Sequence, residues 1–317
     1  LSSSSAASDV YKRQVLGMPM TVTEWNAEPF PLPDRHSLPL YVAGTAAHQG
    51  WDAIMQYAYS QQAFIEGWRR ADNWNAYNDP AMMATLPAAA LLYRREDVRP
   101  AQTHYVFAPG PETLFNRAIT PGNSVLLRTA MEKGRLQIAL PQTPALPWLQ
   151  PAALPGDAQV LHDPDQSLLA ADATSSTSDT GELRRNWQQG LYTIDTPLTQ
   201  AATGWLGGQS LSLADINVQL KTPYASVVVQ SLEAKPINQS RSLLISLGSR
   251  AVPRPDDMTP FHVEPLEGRL SIKAPAGLHL YARSADGQAK KLASTYKDGH
   301  YLITFDAQHM ANWLFLK

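Results

Sequence analysis

Short apolar runs broken by polar turns fill the first hundred residues, and their spacing shifts between strand and helix periods. Met20 to Trp25 is a β-branched run that follows Gly17 and Pro19, which predicts a strand ending at Glu24 or Trp25. A proline-rich loop comes next, through Pro29, Pro31, Pro33 and Asp34. Leu40 to Gln49 repeats small and apolar residues at helical spacing. Asp52 to Tyr59 is apolar at most positions and too short for an independent helix. It predicts a strand buried on both faces, as parallel sheets require. After a polar, aromatic loop, Asp79-Pro80 opens a helix that runs to Arg95, with proline where its missing N–H costs nothing. Strand, helix, strand, helix over residues 15–97 predicts two right-handed βα units.

The texture then changes. Residues 98–181 read as a connecting region of mixed structure, with one short helix and a strand between Leu126 and Leu140. A proline-rich loop (Pro141 to Gln166) and a Ser/Thr/Asp-rich turn (Ala170 to Gly181) complete it. From residue 182 to 317, short alternating runs, with Asn186 to Ile194 read as one strand, are separated by turn signals. These include Gly207-Gly208, Lys235-Pro236, Asp286-Gly287 and Asp298-Gly299. Asp-Gly between strands is a hairpin signal, and many short strands at regular spacing predict a β-sandwich.

Residues 1–14, LSSSSAASDVYKRQ, lack the apolar core of a secretory signal. They resemble the translated read-through of a sequencing adapter. The expectation is a non-native or disordered tail, with the natural chain continuing upstream. Composition narrows the function. Hydrophobic residues at 44% of 317 suffice for a sizeable core. A net charge of −2 gives no electrostatic case for nucleic acid or an anionic membrane. The longest apolar run, Ala88 to Tyr93, falls far short of the ~18 residues of a membrane span. Zero cysteines exclude disulfides, thiolate metal sites and a cysteine nucleophile. The eight histidines show no metal-ligand spacing, so neither a metal nor an organic cofactor is expected.

The sharpest chemistry lies at Thr23-Glu24-Trp25-Asn26, which sets a carboxylate at the C-terminal end of a parallel strand. The adjacent strand end carries Gln56, Tyr57 and Tyr59, and the loop beyond it carries Trp68 and Trp74. Aromatic faces for the C–H surface of a ring, with amides and hydroxyls for its OH groups, are the chemistry of a sugar site. His36, on the loop after Glu24, is a further candidate contact. Trp187, Tyr192, Trp205 and Tyr224 read most simply as sandwich core, a carbohydrate-binding face being the lesser reading.

On these residues the chain resembles the last two βα units of a retaining glycoside hydrolase with a (β/α)8 barrel, of the large clan whose nucleophile ends strand seven. Met20–Asn26 matches strand seven, Tyr41–Gln49 the helix and Trp51–Tyr59 strand eight. The β-rich remainder resembles the accessory sandwich of such enzymes. The resemblance implies an α/β plus all-β fold and makes Glu24 the nucleophile, with Trp25 and Asn26 shaping the rim. Tyr57 or Tyr59 would donate a hydrogen bond to Glu24. The partner is an oligo- or polysaccharide, and the compartment extracellular or periplasmic. A retaining site needs two carboxyls about 5–5.5 Å apart. The acid/base glutamate of the family falls upstream of this sequence, so the chain holds half a dyad and is expected to be inactive alone. The alternative is a non-catalytic carbohydrate-binding or structural β-sandwich module attached to a degenerate barrel.

Overall fold

A computed structural model describes residues 14–27, 30–32, 34–61, 63, 70–117, 119–120, 122–140, 153–283, 288–306 and 311–317. The tail over residues 1–13 and the Asp286-Gly287 turn lie outside the described residues. In the first part, β1 (Thr21–Trp25) and β2 (Ala53–Gln56) pair in parallel around α1 (Leu38–Gln49). Gly50 closes α1 in the left-handed conformation (φ 64°), its N–H bonding back to the last helical turn. Next is α2 (Pro80–Arg94), capped by the Asp79 side chain on the Ala81 N–H. A second parallel sheet, in the order β4-β3-β5, joins β3 (His104–Phe107), β4 (Arg135–Ile138) and β5 (Gln159–Leu161). Between its strands run α3 (Pro111–Asn116) and α4 (Val125–Lys133).

The remainder is antiparallel. A nine-stranded sheet contains β6 (Ser175–Thr177), β7 (Leu183–Asn186), β8 (Leu191–Asp195), β9 (Thr199–Trp205) and β12 (Tyr224–Ser231). It also includes β13 (Leu243–Ser249), β17 (Leu280–Arg283), β18 (Ala289–Leu292) and β21 (Trp313–Leu316). A five-stranded sheet joins β10 (Ser210–Ser212), β11 (Ile216–Leu220), β16 (Gly268–Lys273), β19 (Thr295–Lys297) and β20 (His300–Phe305). A short ribbon pairs β14 (Ala251–Val252) with β15 (His262–Val263). The Asp298-Gly299 hairpin forms as the sequence predicts, with both residues at positive φ (51° and 81°) between β19 and β20.

The expectation of two terminal units of a (β/α)8 barrel is overturned. Strand accounts for 36% and helix for 17%, with four α-helices among the described residues, and no barrel closes. The parallel pairing of β1 with β2 does occur, but as a two-stranded sheet separate from β3–β5. Nor is β2 buried on both faces, since Met55 is 51% exposed. The helices of a barrel would ring its strands. Here α1 and α2 lie on the nine-stranded sheet.

That packing makes three layers, and β12 shows how one strand serves two cores. Its side chains alternate faces, as strand geometry demands. Val227 and Val229 join the core against the five-stranded sheet, with Ile245, Leu270 and Ile303. Val228 faces the other way, into a core with Leu40, Ala43, Ala88 and Leu92 of the two helices. The polar neighbours on that face are paired too: Ser226 Oγ lies 2.7 Å from His36 Nδ1, and Gln230 Nε2 donates to the Ala88 carbonyl at 3.0 Å. Under the N-terminus of α2, Arg35 and Asp79 form a buried bidentate ion pair at 2.5 and 2.8 Å. The Arg35 guanidinium also donates to the Leu32 and Ala251 carbonyls. Such a pair holds only while both partners remain, because either charge alone would be buried without compensation.

Candidate functional site

A β-bulge sets the position of Glu24. Val22 pairs with Ile54 and Trp25 with Gln56, so three steps on β1 oppose two on β2. The extra residue breaks the alternation of faces. Val22 and Trp25 both turn inward, at 2% and 4% exposure, while Thr23 and Glu24 are exposed. In a regular strand Glu24 would share the inward face with Val22. Bulges are common where a side chain must be re-aimed at a strand end.

Beyond the bulge the strand ends are tied together by the backbone and by one amide. Tyr57 N–H donates to the Trp25 carbonyl at 3.0 Å. Asn26 Nδ2 donates to the carbonyls of Tyr57 (2.5 Å) and Asn73 (2.7 Å), and its Oδ1 accepts from the Ala27 N–H at 2.8 Å. Asn26 therefore acts as a clamp, with both amide hydrogens committed to the scaffold. The loop passes a cis Tyr57–Ala58 peptide and is zipped to residues 73–77, Ala76 N–H to Ala58 O and Tyr77 N–H to Tyr59 O, both at 3.1 Å. Asp72 holds the second half of the loop by accepting from Trp74 N–H and Asn75 Nδ2, both at 2.9 Å.

This framework presents rings to solvent. Tyr57 and Trp74 meet edge to face with centroids 5.8 Å apart, and Tyr59 lies 6.1 Å from Tyr77. Tyr57, Tyr59 and Trp74 remain 40%, 49% and 38% exposed, far more than core packing leaves. The Tyr57 hydroxyl accepts from Gln61 Nε2 at 2.8 Å. The structure thus brings Glu24, Asn26, Gln56, Tyr57, Tyr59 and Trp74 to one end of the β1–β2 pair.

Of the remaining sequence candidates, Trp25 and His36 stand elsewhere or in another role. The Trp25 side chain packs in the core with Val22, Leu38 and Met82, so it supports the strand from beneath instead of lining the rim. Gln56 is partly buried, and its Nε2 has no partner among the described residues. His36 leaves the rim altogether. It is fully buried between α2 and the nine-stranded sheet, against Ser226, with its pKa lowered to about 3 by desolvation and by the neighbouring Arg35 charge. Trp68 lies outside the described residues.

A second group of aromatics, read from sequence as core, is partly open. Asn186–Ile194 is not one strand: it folds back at Gln188-Gln189-Gly190 into the β7–β8 hairpin, with Gly190 at φ 66°. Trp205 is 47% exposed and stacks against Tyr224, with centroids 3.5 Å apart. Together with Trp187 they line a cavity of about 720 Å3 between this hairpin and the start of α1. A glycine inside an aromatic run was the available signal for the turn.

Among the described residues, no cluster of three or more His, Cys, Asp or Glu could hold a metal ion, and no helix is long and apolar enough to cross a membrane. Comparison of the chain with protein-family models, curated proteins and solved structures finds no match.

Proposed function

We propose that the chain carries the nucleophile half of a retaining glycosidase site, in which the Glu24 carboxylate attacks the anomeric carbon of an oligo- or polysaccharide. The observation that carries this reading is the bulge that exposes Glu24 at a parallel strand end, beside the exposed Tyr57–Trp74 ring pair. In the first step a Glu24 oxygen bonds to the anomeric carbon as the glycosidic C–O bond breaks, and a general acid protonates the departing oxygen. In the second, water attacks that carbon, the ester to Glu24 breaks, and the same acid/base group takes the water's proton. The rings support the substrate's apolar face, and Asn26 keeps the two strand ends in register. Asp72 is committed to the loop by two accepted hydrogen bonds, and the acid/base role is not assigned to it.

The test uses the longest natural polypeptide containing this chain, treated with activated 2-deoxy-2-fluoroglycosides and mapped by peptide mass. Expected is one covalent label, on Glu24, and a fall in turnover of about four orders of magnitude or more in Glu24→Gln. A label on a different carboxylate overturns the assignment. Absence of any label, with saccharide still bound in a Trp74-dependent way, replaces it with a non-catalytic binding module.

A further inference from the structure

The cavity beside Trp205 shares none of the rim's exposed rings and has the makings of a ligand site in its own right. Its platform is built by glycines. A Cβ on Gly190 would stand 2.2 Å from Trp205 Cδ1, so the indole lies directly across a residue that has no side chain. Gly204, at φ 115°, has the Gly190 carbonyl 2.1 Å from where its own Cβ would be, so the hairpin approach also requires glycine there. The backbone bond from Trp205 N–H to Gly190 O, at 3.0 Å, locks the two turns together. An indole held this firmly and left 47% exposed is a prepared flat surface.

The hairpin turn supplies a second ring and polar groups. Trp187 carries the Arg185 guanidinium 5.4 Å from its centroid. The turn is pre-ordered by Asn186 Nδ2 donating to Gln189 Oε1 at 2.7 Å and by Gln189 N–H donating to Asn186 Oδ1 at 2.9 Å. Beside it Gln188 is exposed at the cavity edge. Two buried donors of the lining, the Tyr192 hydroxyl and Arg185 Nε, have no hydrogen-bond partner among the described residues. Both atoms are closed off from the cavity, the Tyr192 hydroxyl lying against Gly44 of α1, so the groups that face a ligand are the amides of the turn and the rings.

Charge narrows the ligand further. Arg185 is paired with Glu132 at 2.5 Å, Arg128 donates to the Gly122 carbonyl, and Asp34 adds a carboxylate to the wall. With Glu132 counted, two arginines stand beside two carboxylates, so the wall carries no net positive charge to draw an anionic ligand. Its volume of about 720 Å3 falls inside the range of small-molecule sites and exceeds what a single pyranose ring fills. The Trp205 and Tyr224 planes meet at 43°, which is no slot for a flat aromatic ligand. One ring face plus a rim of amides and hydroxyls suits a molecule with an apolar face and hydroxyl edges.

We propose that this pocket, between the N-terminus of α1 and the β7–β8 hairpin, binds a neutral oligosaccharide, with Trp205 as the stacking platform and Trp187 as the second ring. This stands independently of the Glu24 reading, because a binding pocket needs no nucleophile. The test is calorimetric titration of the whole chain with cellotetraose, xylotetraose, mannotetraose and laminaritetraose, and with trigalacturonate as the charged probe. Expected is saturable binding of at least one neutral tetrasaccharide, weakened about tenfold or more by Trp205→Ala. Gln188→Ala, at an exposed turn position, weakens it less, while Phe115→Ala, at an exposed position on α3 outside both sites, leaves it unchanged. Near-ultraviolet circular dichroism checks that Trp205→Ala remains folded, and Trp187→Ala serves in its place if it does not. Binding lost in Trp74→Ala but retained in Trp205→Ala assigns the saccharide to the rim and overturns the pocket. Tighter binding of trigalacturonate overturns the neutral ligand, and no binding by any probe overturns the proposal.

Discussion

The rim at the end of β1 and β2 and the pocket beside Trp205 use the same residue types on different foundations. The rim rests on two short parallel strands and is held by an amide clamp and loop-to-loop hydrogen bonds. The pocket rests on a hairpin within a nine-stranded sheet, and two glycines hold its platform. Trp74 and Trp205 are comparably open, at 38% and 47%. What separates the sites is the company of the ring: an exposed carboxylate stands at the rim, whereas the pocket offers amides, hydroxyls and a buried Asp34 carboxylate beside two arginines. Aromatic exposure is thus common to both sites. The neighbouring charge decides whether chemistry can follow.

The two sites share a junction, and the largest expected effect tests whether they stand or fall together. Arg35→Ala leaves Asp79 buried without its partner, at a cost of about 3–5 kcal/mol. Urea unfolding should show one transition moved to lower denaturant by that amount. Two separate transitions, with only one shifted, would show that the rim and the pocket belong to regions that fold independently.

A smaller effect sharpens the same comparison through pH. His36 bridges the helices and the nine-stranded sheet in its neutral form, and its folded pKa of about 3 lies below the ordinary 6.5. Between those values the unfolded chain binds a proton that the folded chain refuses. Stability is therefore complete above about pH 6.5 and falls toward pH 3, by roughly 1.4 kcal/mol per pH unit from this group. Unfolding midpoints measured from pH 7 to 4.5 should fall with that slope, and His36→Gln should flatten it. An unchanged slope in the variant would place the pH sensitivity elsewhere.

The smallest effect is confined to the pocket. Gly190→Ala forces a side chain into φ 66° and into the Trp205 edge, costing about 1–3 kcal/mol. Tetrasaccharide binding at the pocket should weaken while fluoroglycoside labelling at the rim is unaltered. A parallel loss at both sites would erase the distinction between them.

Local pattern carried single elements but not the architecture. Small residues at helical spacing gave α1 to within two residues of its observed start, and Asp298-Gly299 marked its hairpin. What pattern could not supply was the number and direction of lateral neighbours. The apolar run at Asp52 to Tyr59 suggested a strand inside a parallel barrel, yet its strand spans four residues with Met55 exposed. Burial on both faces falls instead to central strands of the nine-stranded sheet such as β12, whose Val227-Val-Val229 faces two different cores. At the candidate site, Glu24 was legible as a strand-end carboxylate, but its outward aim depends on a bulge that only pairing with β2 defines. His36 looked accessible because it follows Glu24 closely, and is hidden because Ser226, 190 positions later, closes over it.

The bond from the Trp313 indole to the Ala84 carbonyl joins groups 229 positions apart, and it has a consequence for biosynthesis. A ribosome adding about 5–20 residues per second needs on the order of 10–50 s to bridge that gap. Ala88, Ala89 and Leu92 of α2 are covered earlier, once β12 is made, and only the Ala84 end waits for the last strand. The C-terminal strand is therefore the last piece to close over this end of α2.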